Sequence, residues 1–354
     1  MRPGRLKRIL VMRLDRIGDV LLSTPLFSAL KAAYPKSHIA VMVRPYSKDI
    51  VEGNPYIDEV ILYDKDSREK GVLATLDFIW KLRRKRFDLV LVLHPTNRSH
   101  AIAYLAGIPV RVGYDKKLGK LLLTKAIPHT KHLGLRHESD YVLNILRYIG
   151  VEPLSKGLYM PLKAESERKI ERLFKADGLG PERPVVVIHP GASCPSKKWP
   201  PERFAEVANR LTGRLKARIV VIAGLKEKAL GDKVAALIKG DPLNISGETS
   251  VADLASLIKR SQLLVSNDSG PVHVACALGT PVVVIFGRSD AGLSPERWGP
   301  LGARNAMLHK YVGCGVCLAH NCAKGFECLT AVTPDEVFDS CVKVIDAKEA
   351  AVLQ

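Results

Sequence analysis

Four charged residues stand directly after the first apolar run of the chain. The run is "RILVM" (8–12), and the charged residues that follow it are Arg13, Asp15, Arg16 and Asp19. Charges this close to a buried strand end are costly to bury, so they need partners or a ligand. Two guanidinium groups can bind an anionic substrate, and a carboxylate beside them can act as a general base.

Asp19 admits two interpretations. Gly18 marks a tight strand-to-helix turn, which places Asp19 at or near the cap of the next helix. Asp is a favoured N-cap residue and stabilises a helix by about 1 kcal/mol. The alternative is a general base, which the neighbouring Arg13 and Arg16 favour. On the residue types alone, both interpretations stay open.

A second candidate stretch is "VVVIHPGASCPSKKWPPERF" (185–204), in which an apolar strand ends in a Gly-containing loop. The backbone N–H groups of 191–193, ending at Ser193, can form an anion-binding concavity. Lys197 or Lys198 would add a point charge for a diphosphate. A polar surface loop is the simpler alternative, because two lysines in a loop are common.

The third stretch is "LLVSNDSGPVHVACALGTPVVVIFG" (263–287), where a strand is followed by three candidate helix caps. One helix needs fewer caps than Asp268, Ser269 and Gly270 provide. The helix N-terminus favours an anion through its dipole and its unpaired N–H groups. His273, five residues beyond Asp268, is a candidate donor contact, although a lone His is more often a core residue.

The elements that must position these stretches alternate between strand and helix along almost the whole chain. Such alternation gives parallel sheets with right-handed crossovers, and a break near 151–163 predicts two doubly wound domains facing a cleft. Ligands bind outside the carboxyl ends of such strands. The segments expected to line the cleft are therefore 13–19, 189–198, 224–227 and 266–270.

The composition predicts a globular protein with an anionic partner. The 354 residues carry 54 Lys and Arg against 36 Asp and Glu, a formal net charge of +18. Nucleic acid, a membrane surface or a phosphorylated substrate would each suit this charge. Aromatic residues make up only 6%, and no zinc-finger or RNA-binding signature occurs, so we expect no nucleic acid partner. The basic cluster "KLRRKRF" (81–87) is either part of such a surface or a solvated helix face.

Several classes are excluded by missing motifs. No apolar run approaches the roughly 20 residues of a membrane span, and the N-terminus lacks a signal-peptide pattern, so we expect a cytoplasmic protein. No P-loop, G-x-G-x-x-G, G-x-S-x-G or H-E-x-x-H motif is present. Four clustered cysteines favour either a metal or disulfides and free thiols, but their spacing is tight for zinc, and no metal site is predicted. They are Cys314, Cys317, Cys322 and Cys328.

Taken together, "RLDRIGDVLLSTPLFSALKAAYP", "HPGASCPSKKWPPERF" and "VSNDSGPVHVACALGTPVVVIFGRSD" resemble the ADP-heptose:lipopolysaccharide heptosyltransferase family. The resemblance implies the GT-B fold, an α/β architecture of two Rossmann-like domains. It implies that Asp19 is the catalytic base and that Lys197, two residues before Trp-Pro, is the family's lysine. Asp268 matches the family's Asp in the Asp-Ser/Thr-Gly turn. Glu227 is the candidate ribose-binding acid, although "AGLKEK" departs from the commoner Gly-Gly-x-Glu pattern.

The same resemblance implies an inverting transfer of heptose from ADP-heptose to the anionic core of a lipid A precursor. Asp19 would deprotonate the acceptor, while Lys197, Ser193 and the helix start at Ser269–Gly270 would stabilise the leaving diphosphate. Asp268 would contact the sugar hydroxyls. No cofactor is required by this scheme, and a role for Mg²⁺ is left open. The candidate acceptor-binding residues are Arg13, Arg16, Gly18 and Arg98.

The domain prediction follows the GT-B scheme. Residues 1–155 form an acceptor-binding domain, and residues 165–330 form a domain that binds the nucleotide sugar. The segment 331–354 forms a helix packing back toward the N-terminal domain. The excess positive charge would hold the enzyme at the cytoplasmic face of the inner membrane as a peripheral protein. Two rivals remain: a GT-B enzyme with another nucleotide sugar, and a non-catalytic nucleotide-binding protein that would tolerate loss of Asp19.

Overall fold

A computed structural model of the chain describes residues 6–153, 155–180, 182–314 and 316–352, apart from the side chains of 117–118 and 348–352. The chain divides into two compact units, Met1–Pro161 and Leu162–Gln354. This division falls between the domain boundaries predicted at 155 and 165. The first five residues of the predicted first domain lie outside the described residues. No helix within the described ranges is both long and apolar enough to cross a membrane.

The first unit contains one parallel sheet with the strand order β3-β2-β1-β4-β5-β6. Short β-branched runs form its strands and amphipathic segments form the crossovers, as the alternating pattern predicts. Its strands are β1 (Arg8–Met12), β2 (His38–Val43), β3 (Glu59–Leu62), β4 (Leu89–Val92), β5 (Val110–Tyr114) and β6 (Lys125–Ile127). Its helices are α1 (Ile17–Leu21), α2 (Thr24–Ala33), α3 (Lys48–Val51), α4 (Val72–Arg84), α5 (Asn97–Leu105) and α6 (Glu138–Arg147).

The second unit repeats this arrangement with the order β12-β11-β10-β7-β8-β9. Its strands are β7 (Val185–His189), β8 (Arg218–Val221), β9 (Leu243–Asn244), β10 (Leu263–Asn267), β11 (Val282–Phe286) and β12 (Ala306–His309). Its helices are α7 (Ala164–Ala176), α8 (Pro201–Leu215), α9 (Lys228–Leu237), α10 (Val251–Arg260), α11 (Gly270–Leu278), α12 (Pro295–Trp298), α13 (Glu327–Thr330) and α14 (Pro334–Val352).

Each sheet has a point at which the strand order reverses. β1 pairs with both β2 and β4, and β7 pairs with both β8 and β10, all in parallel. The central strands are buried on both faces, which explains their continuous apolar runs. Crossovers leave opposite faces of the sheet at these two points, so a crevice opens beyond the carboxyl ends of the strands. The candidate residues follow these strands.

The last helix, α14, packs on the sheet of the second unit. Its buried residues are spaced to lie on one helix face, and they join the core formed by β7, β10, β11 and α8. The apolar face of this helix is used within the second unit, and the expectation that the segment 331–354 packs toward the N-terminal domain stays a prediction. The residues of this face are Val337, Cys341, Val344 and Ile345.

We expect Ile345→Ala to lower the free energy of unfolding of the second unit by about 2–5 kcal/mol, because it leaves a cavity in this core. Lys343→Ala, on the exposed side of α14, is the matched control and should change stability by less than about 0.5 kcal/mol. Urea unfolding followed by the emission of Trp199, buried in the same core, measures both. Identical unfolding curves for the two variants would contradict the packing of α14.

Candidate functional site

In the first unit, a buried guanidinium joins the ends of two neighbouring strands. Arg13 follows β1, and its Nη1 donates a hydrogen bond of 3.2 Å to the main-chain oxygen of Leu93, which follows β4. Its Nη2 lies 3.0 Å from Oδ1 of Asp19 and 3.1 Å from Oε1 of Glu138 on α6. Only 1% of Arg13 is exposed. The protein's own carboxylates surround the charge of Arg13, which gives it an internal role, and direct binding of an acceptor by Arg13 stays a prediction.

Asp19 does not cap a helix. It is the third residue of α1, whose N-cap position is occupied by Arg16. The main-chain oxygen of Asp19 accepts hydrogen bonds from Nε of Arg13 at 3.1 Å and from Oγ of Ser23 at 2.7 Å. Its side chain is 15% exposed. The carboxylate of Asp19 is thus held through Oδ1 while part of it reaches the surface at the switch point of the sheet.

The charges around Arg13 form one cluster of three carboxylates and two cations. Oδ1 of Asp15 lies 3.0 Å from Nε of Arg13, and Nζ of Lys131 donates to Oε1 of Glu138 at 2.6 Å. Burial by itself lowers the pKa of Arg13, but the three carboxylates raise it above its ordinary value. Burial raises the pKa of Asp15 to about 8, against the attraction of Arg13.

Three other residues were predicted to bind the acceptor: Arg16, Gly18 and Arg98. Gly18 is buried inside α1, and Arg16 is exposed at its start. Arg98 lies on α5, where its Nε donates to the hydroxyl of Tyr63 at 2.6 Å and its Nη2 to the main-chain oxygen of Glu69 at 2.7 Å. These bonds fasten α5 to the segment after β3. Acceptor binding by Arg16, Gly18 and Arg98 stays a prediction.

Sequence reasoning missed Glu138 and Lys131. Both are almost fully buried, at 1% and 4% exposed, yet nothing in their local sequence distinguishes them from surface charges. Glu138 stands 125 residues from Arg13, so only the fold brings them together. His94, one residue beyond Leu93, was also missed. Burial, together with the nearby charges of Arg13 and Lys131, lowers the pKa of His94 to about 4.

In the second unit, one carboxylate is paired with two cations. Nζ of Lys197 lies 2.6 Å from Oδ2 of Asp268, and Nη2 of Arg288 donates to the same oxygen at 2.8 Å. These residues follow β7, β10 and β11, three adjacent strands, and all three side chains are largely buried. Burial lowers the pKa of Lys197, and Asp268 acts in the opposite direction. Arg288 lies two residues after β11. Other candidate site residues were predicted from their positions directly after strands, so this position could have been identified in the same way.

Lys198 has a different partner from Lys197. Its Nζ lies 2.7 Å from Oε1 of Glu227, which follows β8. The same oxygen accepts a hydrogen bond of 3.2 Å from the backbone N–H of Ala192. A Cβ at Gly191 would lie 2.6 Å from Oε2 of Glu227, so a side chain here would displace this carboxylate. Glu227 already occupies one amide of the predicted anion concavity at 191–193, and anion binding there stays a prediction.

A polar group lies between this loop and the start of α11. Nδ1 of His189 lies 3.1 Å from Oγ of Ser266 and 3.2 Å from Oγ of Ser269. Burial lowers the pKa of His189 to about 4, so the ring is neutral at pH 7. Ser269 is the N-cap residue of α11, but within the described residues its side chain makes no capping bond. At the start of α11, the backbone N–H of Gly270 is the candidate donor to an anion, because Pro271 has no N–H and the N–H of Val272 donates to the main-chain oxygen of Ser269.

His273 and Ser193 are the two other residues predicted to contact the donor. His273 is buried inside α11, at 4% exposed, which favours the core interpretation of this residue. Ser193 is exposed in the loop before Lys197, and its Oγ lies 3.9 Å from Sγ of Cys194. Their contact with the donor stays a prediction.

All seven cysteines of the chain are free thiols. Four of them line one cavity together with Ser196 and Arg288, next to the donor-site loop. Among the residues that the structure describes, no group of three or more His, Cys, Asp or Glu is arranged to hold a metal ion. The four cysteines of this cavity are Cys314, Cys317, Cys322 and Cys328.

The fold and the two sites define the class. Each unit is a doubly wound sheet, the first presenting a fixed carboxylate and the second presenting cations beside a helix N-terminus, as in a GT-B glycosyltransferase. The family model described as glycosyltransferase family 9 (heptosyltransferase) matches residues 75–326. The chain belongs to glycosyltransferase family 9, which confirms the family predicted from the sequence, and it is a glycosyltransferase.

Similar proteins extend over nearly the whole chain. Lipopolysaccharide heptosyltransferase 2 of Salmonella typhimurium is 27% identical over 350 residues, covering 94% of this chain and 97% of that protein. A family 9 glycosyltransferase structure from Veillonella parvula has a TM-score of 0.87 at 28% identity, covering 96% and 97% of the two chains. The ADP-heptose lipopolysaccharide heptosyltransferase II structure from Escherichia coli has a TM-score of 0.77 at 26% identity, covering 97% and 99%. The predicted GT-B fold is confirmed.

We expect Glu138→Gln to destabilise the protein by about 3–5 kcal/mol, because it leaves Arg13 and Lys131 short of a buried negative charge. Adding Lys131→Met should recover part of this loss, since the charge balance returns. Thermal unfolding of both single variants and the double variant gives the coupling energy. Purely additive effects would show that Glu138 and Lys131 are not coupled in the folded protein.

Proposed function

We propose that this protein transfers heptose from ADP-L-glycero-D-manno-heptose to the inner core of a lipopolysaccharide precursor, at a Kdo or heptose residue. Near full-length similarity to enzymes named lipopolysaccharide heptosyltransferase 2 supports the reaction and its substrates. The single structural observation that carries the proposal is Asp19, fixed after the first strand by the buried Arg13.

Asp19 is the general base of the proposed reaction. It accepts the proton of the acceptor hydroxyl while that oxygen attacks the anomeric carbon of the heptose. The bond between this carbon and the diphosphate oxygen breaks, and ADP leaves with the electron pair from the opposite face, which inverts the anomeric configuration. Arg13 holds Oδ1 of Asp19, and the 15% exposure of the side chain supports access for a hydroxyl at the remaining oxygen.

The donor is proposed to bind in the second unit. Lys197 and Arg288 place two positive charges on the single carboxylate of Asp268, so a surplus of positive charge remains for a diphosphate. The N-terminus of α11, at Ser269 and Gly270, adds backbone N–H donors. These groups stabilise the charge that grows on the leaving ADP. Glu227 follows the neighbouring strand and is proposed to bind the ribose, and Asp268 the sugar hydroxyls.

Lys197 and Arg288 also supply positive charge without a metal. We therefore propose that transfer requires no cofactor, and that Mg²⁺ at most assists ADP release. Assays with EDTA and with added MgCl₂ measure this directly. A complete loss of turnover in EDTA that Mg²⁺ restores would show that a metal is required.

The acceptor is proposed to be the phosphorylated, Kdo-bearing core of a lipid A precursor. A polyanion of this kind matches the net charge of +18. Because that acceptor is anchored by acyl chains, the enzyme is proposed to work at the cytoplasmic face of the inner membrane as a peripheral protein.

We expect Asp19→Asn to lower turnover by about 10²–10⁴-fold, the usual contribution of a general base, while ADP-heptose affinity changes by only a few-fold. Released ADP with ADP-heptose and a lipid A core acceptor measures turnover, and calorimetry measures donor binding. Asp15→Asn is the matched control, since it removes another carboxylate beside Arg13. Activity of Asp19→Asn within tenfold of wild type, or a larger loss in Asp15→Asn, would remove Asp19 from the role of base.

An assay of the released nucleoside diphosphate separates the rival functions. A panel of other nucleotide sugars tests for a GT-B enzyme with a different donor. ADP-heptose binding with no turnover on any lipid A core acceptor would favour the non-catalytic nucleotide-binding protein.

Lys197→Ala is expected to lower turnover by about 10²–10³-fold, because a contact with the leaving group in a largely buried site is lost. Lys198→Ala is the neighbouring control, and its smaller effect follows from its pairing with Glu227 rather than with Asp268. Steady-state kinetics of both variants with ADP-heptose measures the difference. If the two effects are exchanged, Lys198 is the lysine that contacts the diphosphate.

A further inference from the structure

The helix α4 exposes an apolar stripe on its outer face. Ile79 and Leu82 point into the core, at 7% and 2% exposed. At 100° per residue, the exposed apolar side chains fall within one third of the helix circumference, beside the face that packs on this core. They are Val72 (77% exposed), Leu73 (82%), Leu76 (48%) and Trp80 (51%).

Basic residues extend this stripe at the C-terminal end of α4. The guanidinium of Arg84 lies 3.5 Å from the ring centroid of Trp80. Arg83, Arg84 and Arg86 line a groove of about 510 Å³ together with Trp80 and the segment 106–109. No ion pair joins these three arginines to a carboxylate within the described part of the chain. Apolar surface and unneutralised positive charge therefore meet on one exposed surface.

The carboxylates near this surface are already engaged. Asp77 on α4 pairs with Lys81 at 2.7 Å, and Asp88 in the groove accepts hydrogen bonds from the backbone N–H groups of Lys7 and Arg8. Neither acid is paired with the three arginines. The surface is positively charged as well as apolar, which distinguishes it from a patch suited to an uncharged apolar partner.

We propose that this surface of α4, comprising Val72, Leu73, Leu76, Trp80, Arg83, Arg84 and Arg86, docks on the surface of an anionic lipid bilayer. A 13-residue helix is too short to span a bilayer, but an amphipathic helix with basic residues can lie in the headgroup region. Trp is suited to that depth, and arginines beside it bind the phosphates of anionic lipids. The proposal rests on the proposed function, because an acceptor with acyl chains requires the enzyme at a membrane.

Charge decides between a bilayer and a second copy of this chain. In a symmetric antiparallel dimer through α4, the arginines at the C-terminal end of each helix would lie against the apolar N-terminal end of the other helix, so their charge would gain no negative partner. An anionic bilayer offers negative phosphates to the arginines and hydrocarbon to the apolar side chains. Of these two occupants, the bilayer is the one that suits both the arginines and the apolar side chains.

Trp80 reports on the contact. Trp199 is buried and Trp298 is half-buried, so a change in emission on adding vesicles arises mainly at Trp80. Vesicles of phosphatidylglycerol with phosphatidylcholine should shift the emission to shorter wavelength and float with the protein. Pure phosphatidylcholine vesicles should bind much less, and high salt should weaken the anionic binding. Trp80→Phe should remove the emission shift while the protein still floats with the vesicles.

Two double variants separate the contributions. Val72→Ser with Leu73→Ser should weaken vesicle binding by roughly tenfold, and Arg83→Ala with Arg84→Ala by about 10–30-fold, with a smaller dependence on salt. Val316→Ser with Leu318→Ser is the matched control, a similarly exposed Val and Leu in the second unit. This control should bind vesicles like wild type. All these substitutions are at exposed positions, and unchanged thermal unfolding confirms that each variant is folded.

Three results would overturn the proposal. One is equal binding of wild type to neutral and anionic vesicles. The second is equal weakening in the control variant. The third is a wild-type protein that binds no vesicles but forms a dimer, with the dimer lost in Val72→Ser with Leu73→Ser. This result would assign the stripe to contact with a second copy of the chain. Vesicle binding needs no turnover, so a failure of heptose transfer is distinguished from a failure of docking.

Discussion

The buried guanidinium of Arg13 is the interaction on which the first site depends. It connects the end of β1 to the end of β4 through the main-chain oxygen of Leu93 and to the start of α6 through Glu138. A buried cation requires compensating carboxylates, and Asp19 is one of them. The position of Asp19 is therefore set by the need to neutralise Arg13, and this need fixes the carboxylate before any substrate binds.

The second unit also compensates a buried charge, but here the central charge is negative and its partners are positive. Asp268 is the buried anion, and Lys197 and Arg288 are the two cations that compensate it. Both clusters lie where the strand order reverses, because only there do adjacent strand ends leave a crevice. The repeated topology thus provides two sites. The first presents a carboxylate that suits a general base, and the second presents cations that suit an anionic leaving group.

The surface of α4 is of a different kind from these two clusters. Its arginines are exposed and, among the residues that the structure describes, form no ion pair with a carboxylate, and its four exposed apolar residues lie outside the core. Internal charge clusters position groups for chemistry, whereas an exposed basic and apolar surface can serve only contact with something outside the chain. Membrane docking would hold the enzyme where an acyl-anchored acceptor is concentrated.

The sequence alone determined the alternating α/β pattern, most strand positions and the three loops that carry the candidate residues, because strand runs and helix starts are local signals. It also predicted the family, through motifs that lie within those loops. It missed β5, β6 and β12 as strands, and Glu138, Lys131 and Arg288 as site residues. Only the tertiary structure decided that Arg13 faces inward, that Lys197 pairs with Asp268 and that Lys198 pairs with Glu227. Pairing between residues 29 to 125 positions apart depends on strand order and burial, which no local spacing specifies.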